Sequence, residues 1–109
     1  MRIWLIGAGQ RGTEILRQLQ KNNNIEVVVT DPKERPPAVV QGLIPKVNHV
    51  EMVTPININT LARRIRPDLI LIDSGADQSN LGRISGGMTF SDALNNEMVT
   101  ASEYPCLVV

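Results

Sequence analysis

Arg2-Ile3-Trp4-Leu5-Ile6-Gly7-Ala8-Gly9-Gln10-Arg11-Gly12, followed further on by Ile25-Glu26-Val27-Val28-Val29-Thr30-Asp31, is the sequence on which the reading of this chain turns. Each apolar run is short and closes on a breaker, Gly7 in one case and Asp31-Pro32 in the other, which is the pattern of a strand buried on both faces. Between them Ile15, Leu16 and Leu19 recur at helical spacing. Thr13, Glu14, Arg17, Gln18 and Lys21 are expected to face water, and Asn22-Asn23-Asn24 to stop the helix. The three pieces make a strand-helix-strand unit within about 30 residues, the length such a unit needs.

Outward from this unit the pattern is more broken. Pro32, Pro36, Pro37 and Pro45 leave room only for a short helix around Ala38 to Leu43. His49 to Val53 reads as a third strand. Asn59 is placed to cap a helix from Thr60 to Ile65, whose Leu61, Ala62 and Ile65 share a face, and Arg66-Pro67 ends it. Leu69 to Ile72 is the most apolar strand and is expected near the sheet centre. Ser74 to Met88 is rich in Gly, Ser and Asn and reads as a loop with one helical turn around Leu81 to Ile84. A last helix carries Phe90, Ala93, Leu94, Met98 and Ala101 at spacings of three and four, with Ser91 as its N-cap. Pro105 then marks the change to a final strand, Cys106 to Val109.

The totals limit the possibilities. At 109 residues, one domain covering 1–109 is expected, and 42% hydrophobic with 20% charged residues is an ordinary soluble composition. No stretch approaches the roughly 18 apolar residues of a membrane helix, and Met1 to Ala8 lacks the apolar region of a signal peptide, so the expected location is the cytoplasm without direct membrane insertion. One cysteine and one histidine offer neither a disulfide framework nor a cysteine-rich zinc site. A net charge of zero and three aromatic residues (Trp4, Phe90, Tyr104) argue against nucleic acid as a partner.

Gly7-Ala8-Gly9-Gln10-Arg11-Gly12 fits G-x-G-x-x-G, in which the first glycine allows a sharp turn, the second lets pyrophosphate approach the backbone, and the third lets helix and strand pack closely. The free N–H groups of the following helix, Gln10 and Arg11 among them, together with its dipole, attract the phosphates without a lysine. Such a motif is weak evidence alone. Here it follows a strand, opens a helix, and is followed about 20 residues later by Asp31 at the end of the second strand, where an acid accepts the adenosine ribose hydroxyls. NAD is the favoured cofactor. NADP stays open because Lys33 and Arg35 stand just past Asp31, where a cation can pair with a 2′-phosphate, although as solvated loop charges they need no ligand at all.

The whole pattern resembles an NAD(P)-binding Rossmann domain, most closely the nucleotide-binding domain of the TrkA/RCK (TrkA-N) type, the regulatory module of potassium channels and transporters. Leu69-Ile70-Leu71-Ile72-Asp73-Ser74-Gly75-Ala76-Asp77-Gln78-Ser79-Asn80 looks like that family's fourth strand and its T-G-D-x-x-N-L type loop, with Asp77 and Asn80 at the matching positions. The likeness runs from Arg2 to about Val109. It implies a parallel sheet of about five strands in the order 3-2-1-4-5 with helices on both faces, and a cofactor contacted by Asp73, Ser74, Gly75, Asp77 and Asn80 besides the glycine loop. Where the family carries Gly-Asp after the third strand, this chain has Thr54-Pro55.

Ligands in such sheets bind at the carboxyl ends of the strands, here Gly7 to Gly12, Asp31 to Arg35, Thr54 to Asn57 and Asp73 to Asn80. None of these residues is His, Cys or Tyr. His49, Tyr104 and Cys106 fall at the opposite edge and read as an edge histidine, a packing residue and a small buried residue. No catalytic residue is assigned, because Asp73 and Asp77 are more simply loop caps than bases. Three readings remain: a nucleotide sensor without catalysis, the cofactor-binding part of a dehydrogenase completed by another chain, and a domain of this type with no nucleotide. The last strand carries no charge to discourage edge pairing, so a homodimer or a partner protein is expected there.

Overall fold

The computed structural model describes residues 1–74 and 90–109. Its middle strand is the amino-terminal apolar run, β1 (Arg2–Ile6), flanked by β2 (Glu26–Asp31) and β4 (Leu69–Ile72), with β3 (His49–Val50) and β5 (Cys106–Val108) at the edges. Every pairing is parallel, and the order among the described residues is β3-β2-β1-β4-β5, as expected. The order reverses at β1, since the chain goes from β1 to β2 and β3 on one side and returns to β4 and β5 on the other. Val28 and Ile70 flank Trp4 in register, and Val29 and Leu71 flank Leu5.

Successive side chains of a strand point to opposite faces, so two cores form. Ile3, Leu5, Val29 and Leu71 pack with Leu16 of α1 (Gln10–Leu19) and Ala38 of α2 (Pro37–Val40). Trp4, Ile6, Ile70 and Ile72 pack on the other face with Ile58, Ala62 and Ile65 of α3 (Ile58–Ile65) and Met98 of α4 (Phe90–Ala101). Each large aliphatic side chain so buried contributes about 1.5–3 kcal/mol of transfer free energy. Trp4 is fully buried, and its indole N–H would be costly there without a partner; it donates to Thr30 Oγ1 at 2.9 Å.

Helix α3 stops at Arg66, which takes a left-handed conformation (φ 54°) and returns its N–H to Ala62 O at 2.7 Å. Arg2 holds that end against β1: its Nη1 donates to Ile65 O at 2.5 Å, and its backbone N–H donates to Asp68 Oδ2 at 2.8 Å.

Several sequence expectations change in detail. Thr13, expected in water, is 2% exposed, because its hydroxyl donates to Gly9 O within its own helix at 2.6 Å and so enters the core with a partner. The third strand is only His49–Val50, since it lies at the sheet edge and pairs with Thr30 and Asp31 alone. The short helix is Pro37–Val40 and ends before Leu43. Asn59 is not the cap of α3: Asn57 precedes the helix, while Asn59 Nδ2 donates to Ala101 O and its Oδ1 accepts from Glu103 N–H, tying α3 to the end of α4. Ser91 lies inside α4 rather than before it. Leu69–Ile72 is interior but one place from the centre, which β1 occupies. The turn expected over Leu81 to Ile84 lies outside the described residues.

Candidate functional site

All the parallel strands point their carboxyl ends the same way, so the loops after β1, β2 and β4 gather at one edge of the sheet, around the point where strand order reverses. The glycine-rich turn is the centre of that edge. Gly7 leaves β1 with φ 91°, a conformation in which other residues are strained, and its N–H donates to Thr30 O at 2.7 Å. Gly9 sits at the N-cap of α1 and supplies no side-chain cap. Gly12 is the third residue of the helix. A Cβ on it would collide with Gly7 O and come within 2.9 Å of Asp73 Oδ2, so the close approach of helix and turn needs glycine there.

Both acids from the neighbouring strands turn inward onto this loop. Asp31, 4% exposed at the end of β2, accepts the Ala8 N–H on Oδ2 and the Lys33 N–H on Oδ1, each at 2.8 Å. Asp73, 4% exposed just past β4, accepts the Gly12 N–H on Oδ2 at 2.8 Å. The loop therefore has two of its N–H groups held by carboxylates. Those of Gly9, Gln10 and Arg11 donate to no acceptor among the described residues, as the start of a helix requires.

The remaining expected residues fall around this centre. Gln10 and Arg11 are exposed at the start of α1, and Arg11 Nη1 donates to Ser74 Oγ at 2.9 Å. Ser74 in turn donates from both N and Oγ to Val109 O, at 3.2 and 2.7 Å, which draws the end of β5 to the same corner. Lys33 and Arg35 are exposed on the loop after Asp31. Gly75, Asp77 and Asn80 lie outside the described residues. Thr54, standing where the TrkA-N resemblance implies a Gly-Asp pair, closes its own turn: its hydroxyl accepts from the N–H groups of Ile56 and Asn57, and Asn57 Oδ1 accepts its N–H at 2.7 Å.

Beside the loop lies an open cleft of about 330 Å³ lined by Gln10, Arg11, Glu14, Ile15 and Val109. It sits on the β5 side of α1, away from Asp31. Two contributors to the site were not picked out from sequence, Ala8 and Thr13. Ala8 acts through its backbone N–H, for which no sequence signal exists; Thr13 could have been found, since threonine one turn into a helix can bond back to the carbonyl four residues earlier.

No protein-family model, curated protein or solved structure matches this chain. The site must therefore be read from its own atoms. His49 is exposed on the β3 edge, and Tyr104 packs at the junction of α4 and β5. Burial pushes the Cys106 thiol from 9.0 up to about 11, which keeps it protonated and unreactive at neutral pH. Among the described residues no group of three His, Cys, Asp or Glu side chains could hold a metal ion, and no helix is long and apolar enough to cross a membrane.

Proposed function

We propose that this chain is an NAD-binding domain of the Rossmann type, similar in role to the TrkA-N module, which senses a nucleotide without catalysing a reaction on it. The observation that carries the reading is the glycine turn: it opens α1 at the reversal of strand order, with Gly12 too close to Gly7 for any side chain and with the Gly9, Gln10 and Arg11 N–H groups left for an anion. Pyrophosphate would take these N–H groups. Asp31 uses one lone pair of each oxygen on the backbone, and a carboxylate has about four such positions, so ribose hydroxyls can still donate to it. The other half of the dinucleotide would fall toward the cleft beside Val109. NADP would draw instead on Lys33 and Arg35.

Self-association through β5 belongs to the same proposal. Leu107 and Val108 on this edge strand are 57% and 38% exposed, and a second copy would cover them; a cytoplasmic setting fits such a sensor. Sedimentation equilibrium should show a dimer that Val108→Lys dissociates, and a constant monomer mass would end this part of the proposal.

A domain of this type with no nucleotide is the second reading, and one observation favours it: the Ala8 and Gly12 N–H groups are already satisfied by the protein's own acids. Equilibrium dialysis against NAD, NADH, NADP and NADPH separates the two. Binding is expected, with NAD preferred, abolished by Gly9→Val in a folded variant and weakened for NAD more than NADP by Asp31→Ala. Absence of binding for all four ligands would leave the second reading standing.

A further inference from the structure

Helix α1 begins without a side-chain cap at Gly9 and without an acid in its first turn. Its negative partner comes from elsewhere in the chain. Asp73, carried to the spot by β4, accepts the Gly12 N–H at 2.8 Å while 4% exposed, and so places a carboxylate against the end of α1 where the helix dipole is positive. This suits the empty domain. It opposes a phosphate, because the three N–H groups left for one, of Gly9, Gln10 and Arg11, immediately precede the one Asp73 holds. Arg11 Nη1 donates to Ser74, the residue next to Asp73.

We propose that Asp73 is a built-in competitor for the dinucleotide phosphates, holding affinity down so that the site empties readily. The inference rests on the nucleotide-binding reading above. Two like charges within a helical turn repel appreciably even where solvent enters, and the repulsion scales with the charge of the ligand. The carboxylate thus acts on phosphate as such. It leaves the recognition of adenosine to other groups, Asp31 first among them.

Asp73→Asn keeps an acceptor for the Gly12 N–H and removes the charge. Calorimetric titration with NADH, inorganic pyrophosphate and adenosine should show the variant binding the first two at least about tenfold more tightly than the unaltered protein, a difference of about 1.4 kcal/mol, with adenosine unchanged. The gap should narrow at about 1 M salt, where the screening length falls to about 3 Å. Thermal unfolding checks that the variant is folded, and Asp73→Ser, which also offers an uncharged acceptor, replaces it if not. Equal or weaker NADH binding by a folded variant, with the unaltered protein still binding, overturns the inference and leaves the nucleotide reading intact. No binding of NADH by the unaltered protein or by either variant overturns both.

Discussion

The segment from Arg2 to Asp31 and the segment from Pro32 to Asn57 are of similar length, yet they contribute to the fold in different ways. The first supplies two adjacent interior strands and a ten-residue helix packed on them, and none of its large apolar side chains is exposed. The second yields a four-residue helix and a two-residue strand, and it leaves Val40, Val50, Met52 and Ile56 exposed. It is held at scattered points instead. Ala38 and Val47 enter the core, Asn48 Oδ1 accepts the Val29 N–H at 2.8 Å, and Thr54 and Asn57 close a turn on each other. Prolines explain the contrast in part, since they break long elements. Position explains the rest, because an edge strand has one neighbour to pair with and a central strand has two.

A glycine substitution in each segment would sharpen this contrast. Gly12→Ala carries the largest expected effect, because the new methyl group meets the Gly7 carbonyl and the Asp73 carboxylate and the backbone on both sides must move. A loss of about 3 kcal/mol is expected in urea unfolding. Unchanged stability would show that helix and turn separate easily. Gly42→Ala tests the second segment, where the same methyl group meets nothing and only the backbone angle (φ 77°) resists it. That cost should be about 1 kcal/mol.

Between these two lies Thr30→Val. It leaves the Trp4 indole N–H buried without its acceptor, and a loss of about 1–3 kcal/mol is expected by the same measurement. Asn57→Ala, which removes the acceptor that closes the Thr54 turn in a part-buried loop, should cost less, about 0.5–1.5 kcal/mol. If Asn57→Ala proved the more damaging of the two, the prolines and turns of the second segment would be shown to hold the fold as firmly as its central strands.

The central segment was readable because burial on both faces leaves continuous apolar runs, and the boundaries of β1 and β4 follow those runs residue for residue. Strand order matched what the resemblance to a Rossmann domain implied, a resemblance carried by the glycine turn and its strand-helix-strand unit. What escaped was polar behaviour. Thr13 enters the core and Asn59 bridges two helices because each finds a partner, one four residues back and the other about forty residues ahead, and neither partner is marked by periodicity. The site shows the same limit. The strand ends placed Asp31 and Asp73 at one edge of the sheet, but only the folded chain shows that both carboxylates turn onto the loop between them.

Trp4 is the single tryptophan of the chain, sealed in the middle of the central strand with its indole N–H engaged, a few residues from the turn at which a nucleotide would arrive. Its emission should therefore be blue and homogeneous in the folded domain, and shift to red on unfolding without any label. The same emission overlaps the absorption band of a reduced nicotinamide but not that of an oxidised one. In a domain measuring 42 × 30 × 21 Å, a reduced cofactor bound as proposed would lie close enough to drain the indole's excited state. If the proposed cofactor binds, Trp4 would serve as an optical reporter of its redox state from within the core, without touching it.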